Sequence, residues 1–269
     1  HCISSAASDV YKRQVNYNNE FGLKRTLESI KSQIFTDYEL LVIDGASCDD
    51  SVAVINTYSK KITSMRFVSE KDEGIYNAMN KGTDMAIGDY LIFMNSGDSF
   101  YDDQSLEQSA KFLDGEVDIV SGIAVSDKYV MYPVKPKALS MSFFLKNSMN
   151  HQATFIKRSV MQNYHYSENY KIVSDTEFFF KAMILGNCSY KDIPVKVCFC
   201  EDAGASGNLN ASMQERYKAI KALVSPRMSY DIDFIIKYHN PVSMKVGGLL
   251  YNRFFRWLFD KLLRRGGRL

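Results

Sequence analysis

The sequence lacks three features that would each define a class of protein: an apolar run of about eighteen residues, a CxxC pair of cysteines and a strong net charge. Without the apolar run no transmembrane helix is predicted, and without the cysteine pair a zinc site is not indicated. A formal net charge of +2 does not fit a protein that binds nucleic acid over its whole surface. The five cysteines are odd in number and scattered, which favours reduced thiols in a cytosol: Cys2, Cys48, Cys188, Cys198 and Cys200.

The chain is long enough for one large α/β domain with a small annex. Of its 269 residues, 46% are hydrophobic and 24% are charged, as in a globular protein with a substantial core. Residues 1–14 match neither a signal peptide, which needs an apolar stretch, nor a strand. We therefore expect a foreign or disordered segment over 1–14, the main domain over 15–225 and a helical extension over 226–269.

From Val15 onward, strand and helix patterns alternate. The helix patterns include Leu23, Leu27, Ile30 and Ile34 at helical spacing, and the segments 49–60, 74–85 and 104–113. The strand patterns lie between them, at residues 15–17, 39–43, 65–68 and 90–94. This order predicts a doubly wound, mostly parallel sheet flanked by helices.

The pattern changes after Val117. Residues 117–134 predict strands with a hairpin, 153–157 a strand and 175–185 an apolar helix. The segment 194–200 predicts a last strand, on which Cys198 and Cys200 would face the same side. A proline-bearing break over 224–241 precedes a predicted C-terminal helix at 242–265.

Three polar loops follow the predicted parallel strands, at residues 44–47, 70–74 and 95–98. Each contains at least one carboxylate, and in a doubly wound sheet ligands bind beyond the carboxyl ends of the strands. One such loop alone would be a turn with a helix cap. Three on one edge favour a ligand site.

Three segments carry a resemblance to a known family: VIDGASCDDS, SEKDEGIYNAMNKG and AIGDYLIFMNSGD. Together they resemble glycosyltransferase family 2 enzymes of the GT-A fold, bacterial transferases that build capsular, exopolysaccharide or O-antigen repeats. The resemblance is dense over residues 15–103 and thinner as far as Ser206. It implies a hexosyltransferase-type enzyme that takes a sugar from a nucleotide diphosphate donor, expected to be a UDP-sugar.

The resemblance also implies a divalent cation, Mg²⁺ or Mn²⁺, that bridges the donor phosphates. Asp98 matches the metal-holding aspartate of the family's DxD-type motif. Asn95 stands where the first aspartate usually is, and Gly97 where another often is. Because N-S-G-D leaves one acidic group, we expect weak metal affinity without the donor. The alternative is a loop aspartate satisfied by backbone amides.

Further matches assign the donor contacts. Asp44 matches the residue that reads the uracil edge, although an Asx-turn before Gly45 would also explain it. By the same resemblance, Tyr17 and Asn18 would flank the base, while Asp72 and Asn80 would contact the donor sugar and the ribose.

Inverting transfer by direct displacement needs a general base on the acceptor hydroxyl. The segment 174–177 matches the position of the family's base. It also has the pattern of a capping box, in which Ser174 is the N-cap and Glu177 reaches back to it. That role would leave Asp175 free, so Asp175 is the predicted base and Glu177 its neighbour on the acceptor or diphosphate side. The alternative for Asp175 is a charge that complements the helix dipole.

Two more motifs match the acceptor or diphosphate side. The pair His151 and Gln152 precedes a predicted strand, although a lone histidine can also be structural. Gly204 and Ser206 resemble the family's GG-x-S loop, with Ala203 in place of the first glycine. An ordinary glycine-rich turn is the alternative.

The C-terminal residues 249–269 combine aromatic and aliphatic side chains with six basic residues and one acidic residue. A helix of this composition suits an anionic membrane surface. The alternative is a helix packed on the body with its arginines reaching solvent.

The resemblance implies an inverting glycosyltransferase with a glycan or polyprenyl-linked acceptor, and with the C-terminal composition it predicts a location at the inner face of the cytoplasmic membrane. One alternative is a nucleotidyltransferase, but the segment VNYNNEFGLK is not a basic, glycine-rich phosphate loop. The other is a degenerate nucleotide-sugar-binding module that has lost its second metal ligand.

Overall fold

The computed structural model describes residues 10–201 and 209–238. The chain divides into two compact units, one that ends at Ile220 and one that begins at Lys221. The strands are β1 (Val10–Asn16), β2 (Tyr38–Asp44), β3 (Met65–Ser69), β4 (Tyr90–Asn95), β5 (Ser99–Phe100), β6 (Ile119–Val125), β7 (Val130–Met131), β8 (Thr154–Lys157) and β9 (Tyr190–Phe199). The α-helices are α1 (Glu20–Lys31), α2 (Ser51–Ser59), α3 (Ile75–Met85), α4 (Ser105–Ala110), α5 (Met141–Lys146), α6 (Arg158–Tyr164), α7 (Ser174–Phe179), α8 (Leu209–Leu223) and α9 (Pro226–Tyr238).

The strands form one mixed sheet in the order β3-β2-β1-β4-β8-β6-β9-β5, with β7 paired to β6. Strands β1 to β4 are parallel to one another, and β8 joins them antiparallel to β4. In β2 and β4 every side chain of residues 40–43 and 90–94 is buried, because helices cover both faces of a parallel sheet. The predicted α/β fold with a mostly parallel sheet is confirmed.

The first strand begins five residues earlier than predicted. Residues 10–14 pair in parallel register with both β2 and β4, with Val10 opposite Tyr38 and Tyr90. Two neighbouring strands supply hydrogen-bond partners that a pattern in the sequence alone does not reveal. Residues 1–9 lie outside the described residues, and the foreign origin of the segment 1–14 stays a prediction.

Helix α1 shows why the predicted helices form. Asn19 caps it by accepting a hydrogen bond from the Gly22 N–H (3.0 Å). Leu23, Leu27 and Ile30 bury one face against the sheet. The helix ends at Lys31, so Ile34, expected on the same face, lies beyond its end and is exposed.

The second half of the sheet matches the predicted hairpin, since β6 and β7 pair antiparallel. The sulfur atoms of Cys198, in β9, and Cys200, just beyond its end, lie 3.3 Å apart, so the two side chains face the same side as expected. The predicted apolar helix forms as α7 followed by a π-helical segment, Phe180–Leu185. Helices α5 and α6 were not predicted.

The second unit corrects one prediction. Residues 226–238, expected within a break, form α9. Pro226 occupies the first helical position, where a missing N–H costs nothing, and the Ser225 carbonyl accepts from the Ser229 N–H (2.9 Å). The helix predicted at 242–265 lies outside the described residues. Among the described helices, none has the length and hydrophobicity to cross a membrane.

Candidate functional site

The loops after β1, β2, β3 and β4 surround a cavity of about 620 Å³ at the carboxyl edge of the sheet. A second cavity of about 410 Å³ is also lined by Ile75 and Asn95, so the two are adjacent. The first is lined by Val15, Tyr17, Asn19, Gly45, Ala46, Lys71, Asp72, Gly74, Ile75, Asn95 and Ser96. We call it the donor cavity and the second, which reaches the predicted base, the acceptor cavity.

Asp44 does not face the donor cavity, which corrects its predicted role. Its side chain is 0% exposed. The carboxylate accepts hydrogen bonds from Asn16 Nδ2 (2.8 Å), from the Ser47 N–H (3.0 Å) and Oγ (2.6 Å), and from Ser69 Oγ (2.7 Å). Burial raises the pKa of Asp44, but these hydrogen bonds outweigh it and leave the pKa below its usual value. Asp44 thus joins the ends of β1, β2 and β3. This is the structural role of the Asx-turn alternative, not a contact to the uracil edge.

Asn18 and Asn80 are also engaged elsewhere. The Asn18 Oδ1 accepts from the Cys48 N–H (2.8 Å), in a left-handed turn with φ of 48°. The Asn80 amide donates to the Tyr166 carbonyl (2.8 Å) and accepts from the Tyr166 N–H (2.9 Å). Neither lines the donor cavity. Asn80 holds α3 to the segment before α7, so the ribose contact predicted for it is not supported.

Tyr17 and Asp72 do line the donor cavity. The Tyr17 ring is 67% exposed at its mouth. Asp72 accepts from the Gly74 N–H (3.0 Å) through Oδ1. Its Oδ2 lies 2.6 Å from the point that a Cβ on Gly45 would occupy. The absence of a side chain at Gly45 therefore admits a carboxylate from the next loop to the cavity wall.

The loop 95–98 is held from beneath by α1. Thr26 Oγ1 accepts from the Gly97 N–H (3.1 Å) and donates to the Asp98 carbonyl (2.6 Å). Asp98 is 4% exposed, and its carboxylate accepts from the N–H groups of Asn95 and Glu201, both at 3.1 Å. Burial raises its pKa. The backbone amide contacts that the alternative, a structural loop aspartate, requires are therefore present.

The loop nevertheless offers oxygen ligands suited to a hard cation. The Asn95 Oδ1 is buried and accepts no hydrogen bond from any described residue. The Asp98 carboxylate has lone-pair capacity beyond its two amide contacts. Within 10–201 and 209–238, no three histidine, cysteine or acidic side chains converge as a metal site. A cation here would therefore need the donor's phosphate oxygens as well.

Asp175 and His151 meet at the wall of the acceptor cavity. The Asp175 Oδ2 lies 3.4 Å from His151 Nδ1, and its Oδ1 accepts from the Thr176 N–H (2.7 Å). The His151 Nε2 is buried without a hydrogen-bond partner among the described residues. Gln152 lies beside them and hydrogen-bonds to the Asp98 carboxylate. The residues predicted for base and acceptor thus come together next to the donor cavity.

The predicted capping box is absent. Val173 precedes α7 as its N-cap, and Ser174 Oγ instead donates to the Ser167 carbonyl (2.7 Å). Glu177 pairs with Lys181 Nζ (3.1 Å), one turn further along. Burial raises the Glu177 pKa, and Lys181 opposes the shift. Glu177 lines neither cavity, so its expected place on the acceptor or diphosphate side is not supported.

Several residues at the site were not singled out from the sequence. Lys71 lines the donor cavity, and Tyr76 and Glu201 line the acceptor cavity. Burial lowers the pKa of Arg216 on α8, and the charge of Asp175 opposes that shift. The sequence signal that could have identified Glu201 is an acidic residue directly after the predicted last strand, 194–200. Gly204 and Ser206 lie outside the described residues.

A mixed, mostly parallel sheet with polar loops at its carboxyl edge defines a GT-A-like α/β protein. The model of the family described as Glycosyl transferase family 2 matches residues 15–174, more than half of the chain. The chain belongs to glycosyl transferase family 2.

Two relatives illustrate the family. A PGL/p-HBAD biosynthesis glycosyltransferase of Mycobacterium bovis is 30% identical over 161 residues, which cover 58% of this chain and 62% of the relative. The chain thus spans less than two thirds of that relative. An uncharacterized glycosyltransferase of Mycobacterium tuberculosis is 30% identical over 205 residues, 74% of this chain and 77% of the relative.

Solved structures share the fold. The 1–349 fragment of S. aureus TarS in complex with UDP-GlcNAc has a TM-score of 0.62 at 15% identity, covering 83% of this chain and 70% of that one. The Pyrobaculum calidifontis mannosyltransferase PcManGT, in complex with GDP-Man and Mn²⁺, has a TM-score of 0.62 at 15% identity, with coverage of 96% and 79%.

Proposed function

We propose that this protein transfers a hexosyl group, with inversion, from a UDP-sugar to a hydroxyl of a glycan acceptor. One observation carries the proposal: Asp175 lines a cavity that adjoins the donor cavity at Ile75 and Asn95, which line both. A proton acceptor thus lies next to a pocket large enough for a nucleotide sugar. The nucleotide-sugar complexes of TarS and PcManGT support the choice of donor class.

The donor base would bind between Tyr17 and Asp72. The exposed Tyr17 ring offers a face for stacking on uracil. The Asp72 carboxylate at the wall beside Gly45 would accept the ring N–H, the role first assigned to the buried Asp44.

The diphosphate would lie towards Lys71 and the N-terminus of α3. Gly74 provides no side-chain cap for this helix, so the first-turn N–H groups remain available to an anion. Lys71 adds a positive charge to the same wall. A divalent cation fits the oxygen set of Asp98 and Asn95, and when bound it supplies Lewis-acid stabilisation of the leaving diphosphate. We expect Mn²⁺ or Mg²⁺.

Asp175 would act as the general base. As the acceptor oxygen forms a bond to the anomeric carbon, the bond from that carbon to the phosphate oxygen breaks, and UDP leaves with the electron pair. The acceptor proton passes to Asp175 Oδ2. His151, 3.4 Å from this oxygen, would orient the carboxylate, and Thr176 fixes the other oxygen. Attack from the side opposite the leaving group inverts the configuration.

For the acceptor we propose a polyprenyl-linked glycan intermediate at the inner face of the cytoplasmic membrane, of the capsule, exopolysaccharide or O-antigen kind. The basic and aromatic composition of residues 249–269 supports contact with anionic lipid. These residues lie outside the described part of the chain.

The test of the proposal is donor turnover by purified protein. A panel of UDP- and GDP-sugars is incubated with and without Mn²⁺, and release of the nucleoside diphosphate is measured with and without a short glycan acceptor. We expect Mn²⁺-dependent release from one UDP-sugar, faster with acceptor. Binding without any release would favour a degenerate binding module, and release of pyrophosphate from UTP with a sugar phosphate would favour a nucleotidyltransferase.

A further inference from the structure

Gly97 stands where the family's motif often has an acidic residue, and the structure shows what occupies the space. A Cβ built on Gly97 would overlap the Glu201 Oε2 and approach Arg25 Nη2 to 3.2 Å. The backbone at Gly97 has φ of 114°, a conformation that side-chain-bearing residues rarely adopt. The loop is therefore built for glycine, and a carboxylate from the end of the last strand lies where the side chain of residue 97 would begin.

Glu201 is bound to the loop 95–98 by its backbone as well. Its N–H donates to the Asp98 Oδ1 at 3.1 Å, so residues 98 and 201 are fixed side by side. Glu201 also lines the acceptor cavity together with Asn95, whose Oδ1 lacks a hydrogen-bond partner among the described residues. Two carboxylates and one unpartnered amide oxygen thus lie around one loop.

Among residues 10–201 and 209–238, the Glu201 carboxylate pairs with Arg25 Nη2 at 2.9 Å. Both side chains are about half exposed, at 49% and 48%. An exposed ion pair of this kind is weak and is replaced readily by a stronger charge. A divalent cation carries twice the charge of Arg25, and it attracts hard carboxylate oxygens.

We propose that Glu201 supplies the second carboxylate of the cation site, in place of the acid that the motif lacks at Gly97. This inference rests on the proposed function, since it concerns the cation of the same donor site. Glu201 would leave Arg25 when the nucleotide and the cation bind. Arg25 would then remain bound to the Gly97 carbonyl, to which Nη2 donates at 2.5 Å.

The decisive experiment measures Mn²⁺ binding rather than turnover. Free Mn²⁺ is followed by electron paramagnetic resonance in the presence of saturating UDP, for the wild-type protein and for Glu201→Gln, Arg25→Gln and Asp98→Asn. Thermal unfolding without ligands reports whether each variant is folded. Arg25→Gln is the matched control, because it removes the charged partner of Glu201 and leaves every proposed ligand in place.

If Glu201 is a ligand, Glu201→Gln weakens Mn²⁺ binding at least about tenfold, the lower end of what even an indirect partner of a metal contributes. Arg25→Gln leaves Mn²⁺ affinity unchanged or raises it, because the competing charge is gone. If Glu201 only supports the loop through Arg25, the two variants weaken binding equally, which would overturn the inference.

The remaining outcomes are also decisive. Wild-type Mn²⁺ affinity in a folded Glu201→Gln protein rejects the ligand role, while transfer by the wild-type protein leaves the proposed function standing. If the wild-type protein neither turns over any nucleotide sugar nor binds Mn²⁺ with UDP, the inference and the proposed function both fail.

Discussion

The Asp175 Oδ2 lies 3.4 Å from His151 Nδ1, and both side chains are 15% exposed at the acceptor cavity. A nearly buried carboxylate beside an imidazole has few water molecules to compete for its lone pairs. It can therefore accept a proton from a hydroxyl bound in that cavity. Asp175 and His151 are therefore the proposed catalytic base and the residue that orients it.

UDP affinity should depend on Asp72 and stability on Asp44. Asp72→Ala should weaken UDP binding about tenfold or more, since a hydrogen bond to a charged group contributes about 1.5–3 kcal/mol. Asp44→Asn should instead destabilise the fold by a similar amount, because its buried donors lose a charged acceptor. Calorimetric titration with UDP and thermal unfolding of both variants check the assignment. A stable Asp44→Asn protein with weak UDP binding would reverse it.

Gly45 offers a second test of whether Asp72, at the wall of the donor cavity, binds the base. Its φ is not in the left-handed region, so Gly45→Ala adds no backbone strain, but the new Cβ would meet Asp72 Oδ2 at 2.6 Å. We expect weaker UDP binding with nearly wild-type stability. In the double variant Gly45→Ala/Asp72→Ala the added methyl should cost less UDP affinity than in Gly45→Ala alone, because only its 3.2 Å approach to Tyr17 Cδ2 remains. Additive losses in UDP affinity would mean that the methyl group blocks the base directly.

The Asp44 network predicts a specific acid sensitivity. Because hydrogen bonds hold the folded-state pKa of Asp44 below its unfolded value, its contribution to stability is present above the unfolded pKa. That contribution is lost as the pH falls through the folded pKa. Asp44→Asn does not titrate at this position, so its free energy of unfolding should fall less steeply than that of the wild type below about pH 4. Parallel slopes in urea unfolding at stepped pH would contradict this.

Deletion of residues 249–269 tests the membrane proposal. Each basic residue near an anionic surface contributes about 1 kcal/mol, so the six in this segment should hold the full-length protein on anionic vesicles. Added salt should release it only in part, because apolar insertion is not screened. Co-sedimentation at low and high salt compares the two forms. Equal sedimentation would reject the proposal, and unfolding of the truncated form would favour a helix packed on the body.

The sequence predicted the parallel half of the sheet well, because continuous apolar runs such as residues 90–94, between turn and helix patterns, have few interpretations other than a buried strand. It could not predict which carboxylates face the cavity. Asp44 and Asp72 both follow strands, and only the structure shows that Asn16, Ser47 and Ser69 surround the first. The capping pattern at Ser174 and Glu177 also failed, because Ser167 and Lys181 lie closer to these side chains. Such choices depend on tertiary neighbours that no local pattern contains.

The central claim is that Asp175 is the general base of sugar transfer. The most direct measurement compares transfer rate and UDP-sugar affinity in Asp175→Asn, with Glu177→Gln as the matched acid in the same helix. Asp175→Asn should abolish transfer and leave donor affinity near wild type. Glu177→Gln should keep transfer but lose about 2 kcal/mol of stability, since Lys181 loses its charged partner. Transfer at the wild-type rate by a folded Asp175→Asn protein would rule out Asp175 as the general base.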